Sequence, residues 1–275
     1  MTLENVFKEI ELPNEKRAST IFNSLEDLFK IYKTLEEKTK YFNVLTPEES
    51  YKECFDYCVS AFQTVKINKQ IINQFLEKLS EKITDKDALG LFISAMIQTS
   101  YNQGCNDFVF GGIEFNYFCA YLKGKPEDPI KIKCKDVIGN NVLEYSNNVK
   151  FVGKRIRCNE FMQNAYCVEA NVKRIEGKND KYPRTWGVMK NATKCKLKAD
   201  LVMAETFMWW ANECLARVNL ADSKILCYAK NSKLFAQEIK FWASPMFDSS
   251  GCEIKAKKVE GYIDNLKCKS FIIKS

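Results

Sequence analysis

No histidine occurs among the 275 residues of the sequence. This absence excludes Ser-His-Asp and Cys-His catalytic arrangements, zinc sites with histidine ligands, haem bound by histidine and proton transfer through an imidazole. Glycine and proline are also scarce, with 11 and 6 residues, so the chain is neither collagenous nor of low complexity. The hydrophobic share of 46% and the charged share of 28% are those of an ordinary folded protein.

Sequence motifs that bind cofactors or metals are absent as well. The sequence has no CxxC pair, no GxGxxG, no Walker loop and no HExxH. Paired carboxylates for acid–base chemistry are not visible, since Glu205, Glu213, Asp222 and Asp248 occur singly. We therefore predict no catalytic residue, no cofactor and no metal site.

Long apolar runs are missing too. The first residues, MTLENVFKEIELPNEK, contain several acids, and no stretch of about eighteen apolar residues occurs anywhere. These features predict neither a signal peptide nor a membrane-spanning helix. Twelve cysteines are too few for a scaffold built from disulfides. We expect a cytoplasmic protein without membrane contact, whose cysteines pack as small buried hydrophobic residues.

Charge is distributed unevenly along the chain. Residues 1–100 contain 13 Lys and Arg against 16 Asp and Glu, a net charge of −3. Residues 101–275 contain 29 Lys and Arg against 19 acids, a net charge of +10. The change of sign indicates two structural units. The basic part suits nucleic acid or another polyanion, although lysine-rich surfaces are commonly only solvated.

Apolar residues in the first hundred positions recur at helical spacing. The stripes are Leu25, Leu28, Ile31, Tyr32 and Leu35; Tyr51, Cys54, Phe55, Cys58, Val59 and Phe62; Ile71, Ile72, Phe75, Leu76 and Leu79; and Leu89, Phe92, Ile93 and Met96. Thr46-Pro47, Asn68 and Thr84-Asp85 have the residue types of helix starts. We predict about four helices, with Cys54 and Cys58 in their core rather than in a metal site.

After residue 100 the apolar period becomes two. Residues 130–135, 149–152, 195–199, 239–242 and 254–257 alternate as half-buried strands do. Between them lie Asn-rich segments with anchors at Asn147, Asn164, Asn191, Asn212, Asn231, Ser249 and Asn265. The steps between anchors are 17, 27, 21, 19, 18 and 16 residues, and the longest step contains a loop around residues 176–185.

This repeat predicts a coil of a parallel β-solenoid about every 18 residues. Each coil needs sharp corners, and asparagine tolerates the left-handed backbone conformation better than any residue except glycine. The predicted fold is α+β: a helical bundle over residues 1–104, which would cap the solenoid, followed by a single-stranded parallel β-helix (β-solenoid) of about seven coils over residues 105–275. The alternative is an antiparallel sandwich with Asn-rich turns.

Cysteine recurs about once per predicted coil, at Cys134, Cys158, Cys167, Cys195, Cys214, Cys227 and Cys252. We expect these thiols to fill the solenoid interior rather than to bind a cluster. Cys158 follows Arg157, but strand alternation turns the two side chains to opposite sides, so we do not expect a nucleophile there. The Gly111-Gly112 pair is expected to be a turn.

Several segments resemble a known family. They are residues 89–97, 106–109, 116–118 and 123–125, followed by corner-like segments at 137–142, 144–148, 161–165 and 188–192. Together they resemble uncharacterised archaeal-type proteins with a right-handed β-helix related to the C-terminal GXGXG domain of glutamate synthase and to the β-helical subunit of formylmethanofuran dehydrogenase. The likeness covers roughly residues 89–275. Where that family has paired glycines, this sequence has Asn-Ala, Asn-Asn or Asn-Ser.

The resemblance implies an architecture and a non-catalytic role in docking subunits. In those enzymes the β-helix is a structural and coupling element, while other domains hold the cofactors. No cofactor residue carries over to this sequence.

Two segments are candidate binding sites. Residues 173–186 interrupt the repeat and combine basic with aromatic side chains that suit RNA phosphates and bases, namely Lys173, Arg174, Lys178, Lys181, Tyr182, Arg184 and Trp186. In residues 207–210, strand alternation would turn Trp209 or Trp210 outward, where it suits a protein interface. The alternatives are a solvated loop and a packed corner.

We expect a non-enzymatic scaffold or protein-interaction subunit that binds protein partners in a larger cytoplasmic complex. The alternative is an RNA- or ribosome-associated factor that binds through the basic solenoid half. A third possibility, an enzyme with acids in a solenoid groove, would need two or more carboxylates converging on one face.

Overall fold

A computed structural model describes residues 15–39, 47–79, 85–178, 183–241, 248–261 and 271–273. The chain divides into two compact units, Met1–Cys105 and Asn106–Ser275. No helix within the described ranges is long and apolar enough to cross a membrane.

The described part of the first unit is helical, as predicted. Its elements are α1 (Glu15–Thr39), α2 (Pro47–Ala61), a 3₁₀ turn (Phe62–Thr64), α3 (Lys69–Leu79) and α4 (Lys86–Asn102). Asp85 is the N-cap of α4, because its side chain accepts hydrogen bonds from the amides of the first turn. Asn68 accepts one from the amide of Ile71 in the same way. Thr46 and Thr84 lie outside the described residues.

The core of this unit is aromatic. Phe92 of α4 packs against Tyr32, Phe62 and Phe75, whose ring centroids lie 5.3, 5.0 and 4.9 Å away. Every residue of α4 from position 88 to 101 is buried. Because α1, α2 and α3 all contact it, α4 is the central helix of this unit.

The second unit is a parallel β-solenoid of about six turns, where the repeat predicted about seven. Its strands are β1 (Asp107–Ile113), β2 (Ile130–Gly139), β3 (Val149–Cys158), β4 (Glu160–Phe161), β5 (Glu169–Glu176), β6 (Thr185–Val188), β7 (Lys196–Phe207), β8 (Leu215–Ile225), β9 (Lys233–Phe241), β10 (Glu253–Gly261) and β11 (Phe271–Ile273). The sheet order is β1, β2, β3, β5, β7, β8, β9, β10, β11, while β4 pairs with β6 and β6 with β7. The last anchor, Asn265, lies outside the described residues.

The register gives the length of each coil. Paired residues of successive strands in the sheet lie 24, 19, 19, 27, 19, 18, 20 and 17 positions apart along the chain. The longest step, from β5 to β7, contains residues 177–184, where the interrupting loop was predicted. All the described pairings are parallel, so the antiparallel alternative is wrong.

Most of the long strands bend once, which the sequence pattern did not reveal. Pairing between neighbouring strands skips one residue pair at the same level, for example Lys154 and Lys173, and then continues. The strands β2, β3 and β7 therefore have 10, 10 and 12 residues, whereas alternation predicted only their first parts. The bend divides the outward side of the sheet into two faces.

The coils turn through residues with left-handed backbone angles at positions i, i+2 and i+5. The sets are Leu143, Tyr145 and Asn148; Met162, Asn164 and Cys167; Met189, Asn191 and Lys194; Met208, Trp210 and Glu213; and Leu226, Tyr228 and Asn231. Of the predicted anchors, Asn164, Asn191 and Asn231 are left-handed. Asn147 and Asn212 are not, because they are bridge residues that pair with the neighbouring coils. Ser249 is not either, since Asp248 and Gly251 are the left-handed residues there.

The first residue of each set is a buried apolar residue rather than asparagine or glycine. A left-handed residue with a side chain costs roughly 1–2 kcal/mol. Burying a Met or Leu side chain contributes about 1.5–3 kcal/mol. Met162, Met189 and Met208 are all 0% exposed, and their amides donate hydrogen bonds to the preceding coil. Burial therefore offsets the backbone cost at these corners.

The solenoid interior consists of columns of buried side chains. One column runs through Phe108, Ile132, Phe151, Ala170, Leu197, Ala216, Leu234 and Ile254. Small residues lie between several of the large ones, which lets coils about 4.8 Å apart pack without overlap. The Gly111-Gly112 pair is not a turn but part of β1, because Gly112 pairs with Asp136 of β2.

Candidate functional site

The outward residues before the bend form a cationic surface, which we call the lysine face. The register aligns them in three columns: Asp107, Lys131, Lys150, Glu169, Lys196, Leu215, Lys233 and Glu253; Val109, Lys133, Val152, Asn171, Lys198, Arg217, Phe235 and Lys255; and, at the bend, Gly111, Lys135, Lys154, Lys173, Asp200, Asn219, Gln237 and Lys257. Twelve of these residues are Lys or Arg and four are Asp or Glu. Neighbours within a column are about 4.8 Å apart, and neighbouring columns about 6.6 Å.

Two acids of the lysine face form ion pairs with its lysines. Glu169 accepts a hydrogen bond from Lys196 at 2.7 Å and lies 3.9 Å from Lys150. Glu253 lies 2.5 Å from Lys255 and 3.5 Å from the Nζ of Lys233. Hydrogen bonds from Lys196 and Lys255, respectively, hold the pKa of the Glu169 and Glu253 carboxyls below the ordinary value.

Three of the four cations in the middle column, Lys133, Lys198 and Arg217, have no acidic partner among the described residues, whereas Lys255 is paired with Glu253. Lys133 and Lys198 form no ion pair there, and Arg217 lies over an aromatic ring instead. The Phe235 ring is approached by Arg217 at 5.5 Å and by Lys255 at 5.6 Å from its centroid. Two shallow depressions open on this surface, and Lys198 and Arg217 line both. The face thus combines uncompensated positive charge with a little apolar surface.

The outward residues after the bend form a second surface, which we call the paired face. Its two columns are Asp136, Arg155, Arg174, Leu201, Leu220, Glu238 and Lys258, and Ile138, Arg157, Glu176, Met203, Asp222, Lys240 and Glu260. Five of these residues are Lys or Arg and five are Asp or Glu. The charges of this face therefore balance.

Most charges of the paired face are joined in ion pairs. Buried Glu176 binds Arg155 through one carboxylate oxygen and Arg174 through the other. Further along, four ion pairs form a ring whose members are Glu238, Lys240, Lys258 and Glu260. Hydrogen bonds from Lys258 and Lys240 hold the pKa of the Glu260 carboxyl below its ordinary value. Little charge on this face is left for a partner.

An exposed aromatic cluster lies at two neighbouring corners of the solenoid, between β7 and β8 and between β8 and β9. Trp210 stacks on Tyr228, with ring centroids 5.6 Å apart and an interplanar angle of 29°. Trp209 contacts both rings, at 5.6 and 5.5 Å. Trp210 is 49% exposed, whereas Trp209 is more covered. The reason differs from the predicted one: β7 ends at Phe207, so the left-handed corner rather than strand alternation turns Trp210 outward.

The structure separates the residues predicted to act together in the segment 173–186. Lys173 belongs to the lysine face, whereas Arg174 belongs to the paired face and binds Glu176. Arg184 also forms an ion pair, since its guanidinium donates two hydrogen bonds of 3.0 Å to Asp222. These residues do not form one basic surface.

The other predicted residues of this segment lie in different surroundings. Lys178 donates a hydrogen bond of 3.2 Å to the side-chain oxygen of Asn116. Trp186 belongs to β6 and is 67% exposed. Lys181 and Tyr182 lie outside the described residues.

Sequence reasoning did not select the lysines of the strands, although their signal was present. The alternation over residues 130–135 and 195–199 puts Lys131, Lys133, Lys135, Lys196 and Lys198 at outward positions. The register brings these lysines to one surface, because paired positions in neighbouring coils face the same way.

Most cysteines within the described residues are interior residues. Cys54 and Cys58 are buried in the helical unit, and burial raises the pKa of the Cys54 thiol to about 12. Burial likewise raises the pKa of the Cys158 thiol to about 12, which opposes formation of the thiolate. Cys134, Cys195, Cys214, Cys227 and Cys252 are buried too, whereas Cys167 is half-buried at a corner. The parts of the chain that the structure describes contain no group of three or more Cys, Asp or Glu that fits a metal ion.

These features define a class of protein: a helical unit followed by a parallel β-solenoid, with one cationic and one charge-balanced sheet face. Comparisons with protein-family models, with curated proteins and with solved structures gave no match. Function therefore has to follow from the charges and contacts of the surface.

Proposed function

We propose that this protein is an RNA-associated factor that binds nucleic-acid phosphates on its lysine face. The observation that carries the proposal is the ratio of twelve cations to four acids on one face of the sheet. Phosphate chains attract such a surface, because neutralising phosphates with Lys and Arg releases condensed counterions. The sequence led us to expect first a scaffold that binds protein partners in a larger complex. We now propose the alternative, an RNA-associated factor, ahead of it.

The proposal is supported by comparing how cations and acids are arranged on the paired face and on the lysine face. Both faces are built from the same coils with the same spacing, and the paired face places an acid beside most of its cations. On the lysine face, by contrast, the strand register puts cations directly opposite each other: Lys131 beside Lys150, and Lys198 beside Arg217. Like charges directly opposite each other destabilise a sheet. A polyanion would remove this repulsion.

The apolar members of the lysine face suit a nucleic acid better than a simple counterion. Val152 is 46% exposed in the middle column, and Phe235 lies between Arg217 and Lys255. Surfaces that bind nucleic-acid strands combine a cationic track with apolar or aromatic side chains for the bases. The lysine face contains both kinds of residue.

The test is a titration of fluorescent RNA at several salt concentrations. The variant Lys133→Gln/Lys198→Gln/Arg217→Gln removes three unpaired cations. We expect it to bind at least tenfold more weakly at low salt and to flatten the plot of log affinity against log salt by about 2, at about 0.7 per lost contact with a single strand. The matched control, Arg174→Gln/Lys240→Gln/Lys258→Gln, removes the same charge from the paired face and should bind almost as the wild type does. Equal losses in both variants, or no binding by the wild type, would overturn the proposal.

A scaffold function is the second candidate, and Trp186 favours it. This side chain is 67% exposed, and exposed tryptophans are frequent centres of protein interfaces. Affinity purification with and without nuclease distinguishes the two functions. Protein partners that survive nuclease and are lost in Trp186→Ala would support the scaffold, and partners lost with nuclease would support the RNA-associated factor.

A further inference from the structure

The aromatic cluster at the corner is close to the lysine face along the chain. Trp210 precedes Leu215, the first outward residue of β8, by five positions, and Tyr228 precedes Lys233 of β9 by the same number. Because the backbone turns between these positions, the two sites are less than about 18 Å apart. A polymer chain lying on the lysine face can therefore reach the cluster.

Trp210 differs from the buried left-handed residues of the corners. Met208, two residues earlier, is 0% exposed, so burial compensates its left-handed backbone. Trp210 is left-handed as well, yet nearly half of its surface remains in water. Exposed left-handed residues also occur at Asn191, Lys194 and Glu213, so the aromatic ring at this position, and not the backbone angle, distinguishes Trp210.

One side of the Trp210 ring is covered by Tyr228, its neighbour in the following coil. In the preceding coil the equivalent left-handed position is Asn191, an exposed residue whose amide donates to the carbonyl of Trp209. Among the described residues, Trp210 has no ring contact other than those with Tyr228 and Trp209. Within the described residues no aromatic side chain therefore covers the ring on the side of Asn191, and nearly half of the Trp210 side chain is open to a planar group from solvent.

We propose that the polymer bound by the lysine face is a single-stranded nucleic acid, with an unpaired base stacked on Trp210. This inference rests on the proposed function and names the form of nucleic acid that it binds. A duplex keeps its bases stacked inside, so it can offer phosphates to the lysines but no base to the tryptophan. Stacking on an aromatic side chain is independent of base identity, because every base has a π-face. Charge complementarity with the lysine face favours this occupant over a protein.

The experiment compares three polyanions on the full-length protein at the same salt concentration: single-stranded RNA of about 16 nucleotides, the corresponding duplex, and inorganic polyphosphate, which has no bases. We expect the single strand to bind most tightly and to quench tryptophan fluorescence. Trp210→Ala should weaken binding of the single strand by about tenfold and leave polyphosphate binding unchanged. Trp210→Tyr should restore most of the affinity because it keeps an aromatic face.

The matched control is Trp186→Ala, which removes the other strongly exposed tryptophan among the described residues and should change none of the three affinities. Trp210→Leu keeps apolar bulk without an aromatic ring and should behave like the alanine variant if stacking is the cause. Equal binding of all three polyanions, unaffected by Trp210→Ala, would overturn this inference and leave the proposed function intact. A wild-type protein that binds none of the three at low salt would overturn both.

Discussion

The two outward faces of the solenoid are built from the same strands, yet they treat charge in opposite ways. On the paired face Glu176 joins two arginines, and four ion pairs close a ring around Lys240 and Lys258. On the lysine face the middle column carries Lys133, Lys198 and Arg217 without an acid beside them in the described residues. The parallel stack itself does not force either outcome, because both have the same spacing.

A solenoid can neutralise the cations of a column by placing an acid beside each of them in the neighbouring coil. Stacked residues lie about 4.8 Å apart, close enough for an ion pair and equally close enough for repulsion. Repulsion between the cations of the lysine face opposes folding, and ion pairs that could offset it are missing at Lys133, Lys198 and Arg217 of the middle column among the described residues. Surfaces that lower stability in this way are typical of sites selected for binding.

The largest effect on RNA binding is expected when acids are placed beside the cations of the middle column and no cation is removed. Asn171→Glu puts an acid beside Lys198, and Phe235→Glu puts one beside Arg217 and Lys255. The double variant keeps every cation but gives the middle column the character of the paired face. We expect RNA binding at low salt to fall by about 100-fold, with no loss of thermal stability. The neutral variant Asn171→Gln/Phe235→Gln is the control and should lose far less. Undiminished binding by the acidic variant would show that pairing of the lysines is irrelevant.

A smaller effect, an increase in RNA affinity, is expected when acids are removed from the ion pairs of the paired face. Glu238→Gln/Glu260→Gln removes the acids that hold Lys240 and Lys258. Binding of RNA should become about threefold tighter at low salt, and its salt dependence steeper by about 1. Glu37→Gln/Glu53→Gln raises the net charge equally on exposed helix positions and serves as the control. The same gain in both variants would mean that only net charge matters.

The sequence was sufficient to predict the architecture but not the corners. Alternation and the Asn-rich repeat predicted parallel coils near 18 residues, with one enlarged coil, because period and turn composition are local properties. Met162, Met189 and Met208 could not be recognised as left-handed residues, since their backbone cost is offset by burial that exists only after the coils stack. The bend was hidden for a related reason: alternation continues on either side of it.

The candidate site was predictable only in part, because an ion pair between coils joins residues far apart in sequence. Arg184 binds Asp222, 38 residues away, and Arg155 binds Glu176, 21 residues away. Without the register, the arginines of the segment 173–186 look as available as the lysines of β7. The sequence pattern predicted Lys173 of the lysine face and Trp210 of the corner, but not the other cations of the lysine face. The identity of the partner of each charge is information that the fold supplies.

The smallest effect concerns pH, and the two faces should respond differently. No histidine is present, so no imidazole titrates on the RNA-binding surface, and RNA affinity should stay constant between about pH 6 and 8.5. The lysines hold the pKa of Glu169, Glu253 and Glu260 below 4.5, so these carboxylates stay ionised until the pH falls through their lowered folded-state values. Stability contributed by their ion pairs is complete above pH 4.5 and is lost below it.

In that acid range the faces diverge. Protonation of Glu169 and Glu253 frees the lysines that they bind, so RNA affinity should rise slightly, while loss of the Glu260 pairs lowers the stability of the paired face. Titrations of RNA binding and of thermal unfolding against pH measure the two responses separately. Glu169→Gln/Glu253→Gln should remove the acid rise, because its lysines are free at every pH. A transition in RNA affinity near neutral pH would contradict this account, since the sequence contains no histidine.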